Sequence, residues 1–215
     1  VDLYLAERRR KSLIRTLIVA VVVVAVLLVG NYVLDRFFGL SPIEKEARSY
    51  ESAGDQYLRN NELDKAIPEY EKAVAVMPEL AEGHLTLGVL YEIKGDAEKS
   101  KQAFGNAEAL YSDRHDYLVA LASAYQAVGQ LDKAMAAVTE AITLKPQSPR
   151  AIFVRGGIYE AKGSYSEAIA DFDTASTLAQ EQGEDALYVL AKTRMGMLLQ
   201  SGPPRSLPTE PSSGS

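Results

Sequence analysis

The stretch GDQYLRNNELDKAIPEYEKA, residues 54–73, decides how the chain is read, because its spaced residues recur every 34 positions. Tyr57 returns as Tyr91, Tyr125 and Tyr159. Three positions before each tyrosine stands a small residue, Gly54, Gly88, Ala122 or Gly156. Nine positions after it comes Ala66, Ser100, Ala134 or Ala168, and four later a bulky residue, Tyr70, Phe104, Val138 or Phe172. Three beyond that stands Ala73, Ala107, Ala141 or Ala175. Turn-forming pairs (Asn60-Asn61, Gly95-Asp96, Gly129-Gln130, Gly163-Ser164) interrupt the apolar 3.6-residue period inside each interval. Each interval therefore reads as two short helices. The small positions let the helices approach closely and the bulky ones fill the space between them. A single hairpin of this kind cannot bury its apolar face, whereas four stacked hairpins share a continuous core.

This order of residues resembles the tetratricopeptide repeat, whose signature runs large residue, Leu-Gly, Tyr, Ala, Phe and Pro. The resemblance covers four units, 47–80, 81–114, 115–148 and 149–182, and Pro78 and Pro146 close the first and third. Departures are Ser100 for Ala, Arg155 where Leu is usual, and Ser112 and Gln180 in place of the closing Pro. The resemblance implies an all-α solenoid of four helix-turn-helix units. Residues 183–200, with Leu187, Leu190, Ala191, Met195 and Leu198 at helical spacing, read as a capping helix over its end. A solenoid needs such a cap with a polar outer face. Residues 201–215, SGPPRSLPTEPSSGS, are too rich in Pro, Ser and Gly to bury a core and read as a disordered tail.

The other strong signal precedes the repeats. Residues 16–34, TLIVAVVVVAVLLVGNYVL, carry no charge. At about 1.5 Å per residue they span roughly 28 Å as a helix, close to the hydrocarbon thickness of a bilayer. The run is too long for a signal-peptide core, and no A-x-A-like cleavage site follows, so a retained transmembrane helix is expected. The arm 1–15 before it is basic, with Arg8, Arg9, Arg10, Lys11 and Arg15, whereas Asp35-Arg36 on the other side has no net charge. The positive-inside rule then places the N-terminus in the cytoplasm and the repeats outside it, in the periplasm of a bacterium. Tyr32, Phe37 and Phe38 fit an aromatic belt at the outer boundary. In the connecting stretch 35–46, Ser41, Pro42 and Glu44 form a helix-start signature of the type S-x-x-E.

Composition narrows the function. Cysteine is absent, which excludes disulfides, thiol nucleophiles and thiolate metal sites. Residues 44–200 hold 16 Lys and Arg against 25 Asp and Glu, about −9 net, which argues against a nucleic-acid partner. The two histidines, His84 and His115, lack metal-ligand spacing. His84 stands at the large-residue position and is expected in the core, His115 at a helix start in a solvated or capping role. No phosphate loop or nucleophile elbow is present. No catalytic residue, metal, cofactor or small-molecule substrate is expected.

In the family it resembles, the groove is lined by the first helix of each unit at its second, fifth, ninth, twelfth and thirteenth positions. Those positions carry Arg48, Glu51, Asp55 and Arg59 in the first unit, then Leu85, Val89 and Ile93, then Val119 and Ser123, then Arg150 and Phe153. Glu51 and Asp55 stand where the family's carboxylate clamp has Lys and Asn, which disfavours a C-terminal carboxylate as ligand. The groove is expected to be charged near the membrane and apolar in the middle, with Phe153 as an anchor. The function expected is a membrane-anchored protein–protein interaction module, an accessory or scaffold subunit or adaptor of a larger membrane complex in contact with the lipid bilayer. An assembly chaperone for exported or cofactor-bearing proteins is the alternative.

Overall fold

The computed structural model describes residues 41–201. The chain divides into two units, Val1–Lys45 and Glu46–Ser215. The expected transmembrane helix 16–34, the arginine cluster, the aromatic belt and the tail from 202 onward lie outside the described residues. No helix among the described residues is long and apolar enough to cross a membrane.

The described residues form nine α-helices and no strand. The pairs are α1 (Pro42–Arg59) with α2 (Leu63–Val76), α3 (Ala81–Lys94) with α4 (Ala97–Leu110), α5 (Arg114–Ala127) with α6 (Leu131–Leu144), and α7 (Pro149–Ala161) with α8 (Tyr165–Gln182). The last helix, α9 (Asp185–Ser201), folds back on α8. Helix starts follow the local chemistry. The Glu44 amide donates to Ser41 Oγ at 3.1 Å and the Ser41 amide to Glu44 Oε2 at 2.8 Å, a reciprocal capping box. Asp96, Asp113 and Ser148 accept from the amides of Lys99, His115 and Ala151. Each turn within a pair passes through one left-handed residue, and these too are 34 apart: Asn61 (φ 58°), Gly95 (78°), Gly129 (75°) and Gly163 (79°). Glycine, or at some cost asparagine, tolerates that conformation.

Within each pair the same two positions meet. A Cβ on Gly54 would stand 2.6 Å from the Tyr70 ring, one on Gly88 2.6 Å from Phe104, and one on Gly156 2.9 Å from Phe172. The ring of the second helix lies directly on the backbone of the first. The third pair differs in the compensating direction: Ala122 adds a methyl and Val138, sixteen residues on, replaces a ring, and both are fully buried. Ala66, Ala134 and Ala168, and the four alanines 73, 107, 141 and 175, are completely buried as well. Ser100, the departure from Ala, is buried with its hydroxyl donating to the Gly88 carbonyl at 2.9 Å. Its extra oxygen is thereby satisfied.

The four period-marking tyrosines are not equivalent in burial. Tyr91 is buried, while Tyr57, Tyr125 and Tyr159 are half-buried. The first three lie under an ammonium eight residues on: Lys65 (5.8 Å to the ring centre), Lys99 (5.0 Å) and Lys133 (5.5 Å). Arg155 is a paired departure. Its Nε and a terminal nitrogen each donate at 2.7 Å to Asp171, whose side chain is buried. The corresponding residues in the second and third units are Leu87 with Ala103 and Leu121 with Ala137, so an apolar contact has been exchanged as a pair for a forked ion pair. Removing Arg155 alone would leave a buried carboxylate without its counter-charge, at a cost of about 3 kcal/mol.

The cap departs from expectation. Ala191 is fully buried against α7 and α8, in one cluster with Ile152 and Ala175, but the outward side of α9 is not polar. Val189, Leu190, Met197 and Leu199 are all exposed.

The contact of small residue and ring generates a test by thermal or chemical denaturation. Gly88→Ala should destabilise, because overpacking of about 1–3 kcal/mol outweighs a helix-propensity gain of up to about 1 kcal/mol. Combining Gly88→Ala with Phe104→Val installs the pairing of the third unit. The double variant should therefore lose less stability than the two singles together; strict additivity would mean that the two positions do not bear on each other.

Candidate functional site: the acidic inner groove

The first helices α1, α3, α5 and α7 bring residues from all four units to one cavity of about 430 Å³. The residue two places into each 34-residue interval contributes a charge from three units: Glu82, Asp116 and Arg150. Glu51 and Asp55 add two carboxylates from α1. Tyr70, Tyr111 and the small residues Ala120, Ser123, Ala124 and Ala127 form the walls and floor. Four carboxylates thus face one guanidinium. The crowding adds to burial in the acid–base behaviour of Glu51. Burial, then the Glu82 charge, push the Glu51 carboxyl above its ordinary value, and Asp55 adds to this while Arg48, at 3.6 Å, opposes it. Burial and then Glu82 likewise raise the Tyr111 hydroxyl to about 12. Tyr70 donates its hydroxyl to Asp55, and burial first, then this bond, raise its pKa strongly.

The residues expected to form an apolar groove are distributed otherwise. Leu85 and Val89 have no exposed surface and Val119 only 4 %. All three belong to the buried cluster that includes Leu118 and Ala122 of α5. Helix α3 is covered on three sides, by α2, α4 and α5, and every residue from Gly83 to Tyr91 is buried. Its groove-facing positions have therefore become interior, and the expected apolar strip is not exposed. Phe153 is half-buried, its ring 5.2 Å from that of Phe172, so it packs within the fourth unit. Ile93 is exposed. Ser123 and Arg150 do line the groove, and so does Val119 with its small exposed edge. Sequence reasoning missed Glu82 and Asp116, although they follow Arg48 at the same 34-residue spacing and share a named groove position.

The histidines divide. His84 is buried as expected, its Nε2 2.9 Å from the Pro78 carbonyl. A carbonyl only accepts, so Nε2 carries the proton. His115 is buried, not solvated: its Nδ1 lies 2.8 Å from the Asp116 carboxylate and its Nε2 has no hydrogen-bond partner. It does cap nothing itself; Asp113 is the capping residue, accepting from the His115 amide at 2.8 Å.

Paired helices stacked around an inner groove, with charged side chains presented by successive first helices, define the class of repeat scaffolds that hold other molecules along one face. Two family models match the chain: one described as TPR repeat over residues 54–95, and one described as tetratricopeptide repeat over residues 119–183. The matches support membership of the tetratricopeptide-repeat family, and such repeats are protein–protein interaction modules.

Solved structures are similar at low identity. MamA 41-end from Desulfovibrio magneticus RS-1 is 14 % identical, covering 73 % of this chain and 96 % of that one, with a TM-score of 0.35. PilF of Pseudomonas aeruginosa is 16 % identical over 73 % of this chain and 78 % of its own, TM-score 0.38. The TPR2AB domain of yeast Sti1, in a complex with Hsp90, is 20 % identical over 71 % and 72 %, TM-score 0.34. No curated protein matches the chain in a sequence search.

The raised Glu51 carboxyl makes a pH-dependent prediction. A carboxyl whose value is higher folded than unfolded stabilises the fold when protonated, and that contribution is lost as the pH rises through the elevated value. Glu51→Gln should therefore raise the melting temperature near neutral pH and leave it nearly unchanged at pH 4. A lower melting temperature at neutral pH would mean that the Arg48 contact outweighs burial and the neighbouring acids.

Proposed function

We propose that this chain is a membrane-anchored interaction module, an accessory or scaffold subunit, or adaptor, of a larger membrane complex. Its repeat domain holds a basic segment of a partner protein in the inner groove. The observation that carries the reading is the convergence of Glu51, Asp55, Glu82 and Asp116 on one cavity. Carboxylates held close together at a half-buried site repel one another, and a cationic side chain placed among them removes that repulsion. Tyr111 offers a ring face and a hydroxyl beside them, and Arg150 at the far end sets a direction for the bound segment. Support for the anchor comes from the uncharged run 16–34 and its basic flank at Arg8–Lys11, which together favour a single pass with the repeats outside the cytoplasm.

Two measurements test this. The full chain is extracted in mild detergent and its co-purifying proteins are compared with those of a Glu82→Lys, Ser123→Arg variant, both side chains being exposed in the groove. The variant should stay folded and lose the partner, and raised salt should weaken the wild-type complex. A partner retained by the folded variant would move binding off the groove. Protease added to intact spheroplasts should digest the repeats, and protected repeats would reverse the orientation.

A further inference from the structure

Helix α9 is buried along one side only. Ala191 is completely covered, and Leu187, Met195 and Leu198 are half-buried around it. At 100° per residue, the opposite side carries Ala186, Val189, Leu190, Thr193 and Met197, spaced i, i+3, i+4, i+7 and i+11. All five are exposed, Val189 to 60 % and Met197 to 57 %. The stripe holds no charge. The cations beside it are turned back onto the solenoid: Lys192 Nζ donates to Asp173 at 3.0 Å and Arg194 to Glu160 at 2.6 Å. Space above Gly196 is open, with no atom within 4 Å of where its Cβ would stand.

We propose that the stripe is covered by the same stripe of a second copy, the two α9 helices running antiparallel about a two-fold axis at Thr193. Two arguments select this occupant. The domain is strongly acidic, so two copies repel across most of their surface and can approach where the charge is absent. The stripe is also complementary to itself under that axis. Val189 meets the open Gly196 of the other copy, and Leu190 meets its Met197, so each large side chain faces a glycine or another apolar chain. Such an arrangement is isologous and closes at two copies.

The chain has no cysteine, so a single introduced one reports proximity without background. In the full chain, in membranes or mild detergent, Thr193→Cys should form a disulfide-linked dimer under mild oxidation several-fold more than Ser52→Cys, an exposed control on α1. Adding Val189→Glu and Met197→Glu, both at exposed positions, should abolish the cross-link while the helical circular dichroism stays unchanged. Equal cross-linking at 52 and 193 would mean random collision and overturn the proposal. So would a cross-link at 193 that survives the two glutamates, or one formed only to a different protein.

Discussion

The solenoid rests on one packing relation inside each pair: a bulky side chain of the second helix set against a small position of the first, bare glycine backbone in three units and alanine in the third. Gly54 under Tyr70, Gly88 under Phe104 and Gly156 under Phe172 leave no room for a methyl. The third unit shows that the requirement is on summed volume, since Ala122 is matched by the smaller Val138. Close packing explains why the two positions change together. Once the helices of a pair are held at this distance, the buried alanines of the second helix allow the next pair to stack at a similar one. The left-handed residues 34 apart, Asn61 to Gly163, set the turn that brings each couple together.

That stacking also decides what the groove is. Because α3 is enclosed by α2, α4 and α5, its aliphatic residues serve the core, and the accessible inner surface is left to the carboxylates of α1, α3 and α5 and to small residues on α5. The charge that lines the groove and the cohesion of the interior are thus carried by different residues of the same helices. The fourth unit adds a polar contact inside the pair, Arg155 on Asp171, where the second and third use apolar ones.

The fold was legible because its determinants are local and repeated: small residue, ring and turn former all recur in register, so helix pairing could be read without knowing the tertiary contacts. The capping box at Ser41 and Glu44 was legible for the same reason. What could not be read from position alone was burial that depends on curvature. Leu85 and Val89 occupy nominal groove positions, yet the run HLTLGVLY, residues 84–91, lacks a polar face, and a helix apolar all round is a buried one. That signal was present and outweighs the positional rule. Burial of His115 had no comparable local sign, since Arg114 and Asp116 on either side are exposed. The apolar outside of α9 shares its period with the buried side, and sequence could not say which stripe faced inward.

The central claim is that an aromatic ring lies on a glycine backbone in the first, second and fourth units. Proton chemical shifts of glycine in residues 41–201 test it directly, because a ring stacked over a Cα moves its protons upfield. Gly54, Gly88 and Gly156 should show shifted Hα resonances, and Gly95, Gly105 and Gly129, with no atom near, should not. Replacing Phe104 by Leu should return Gly88 alone to the ordinary range. Ordinary shifts at all three glycines in the folded protein would contradict the account.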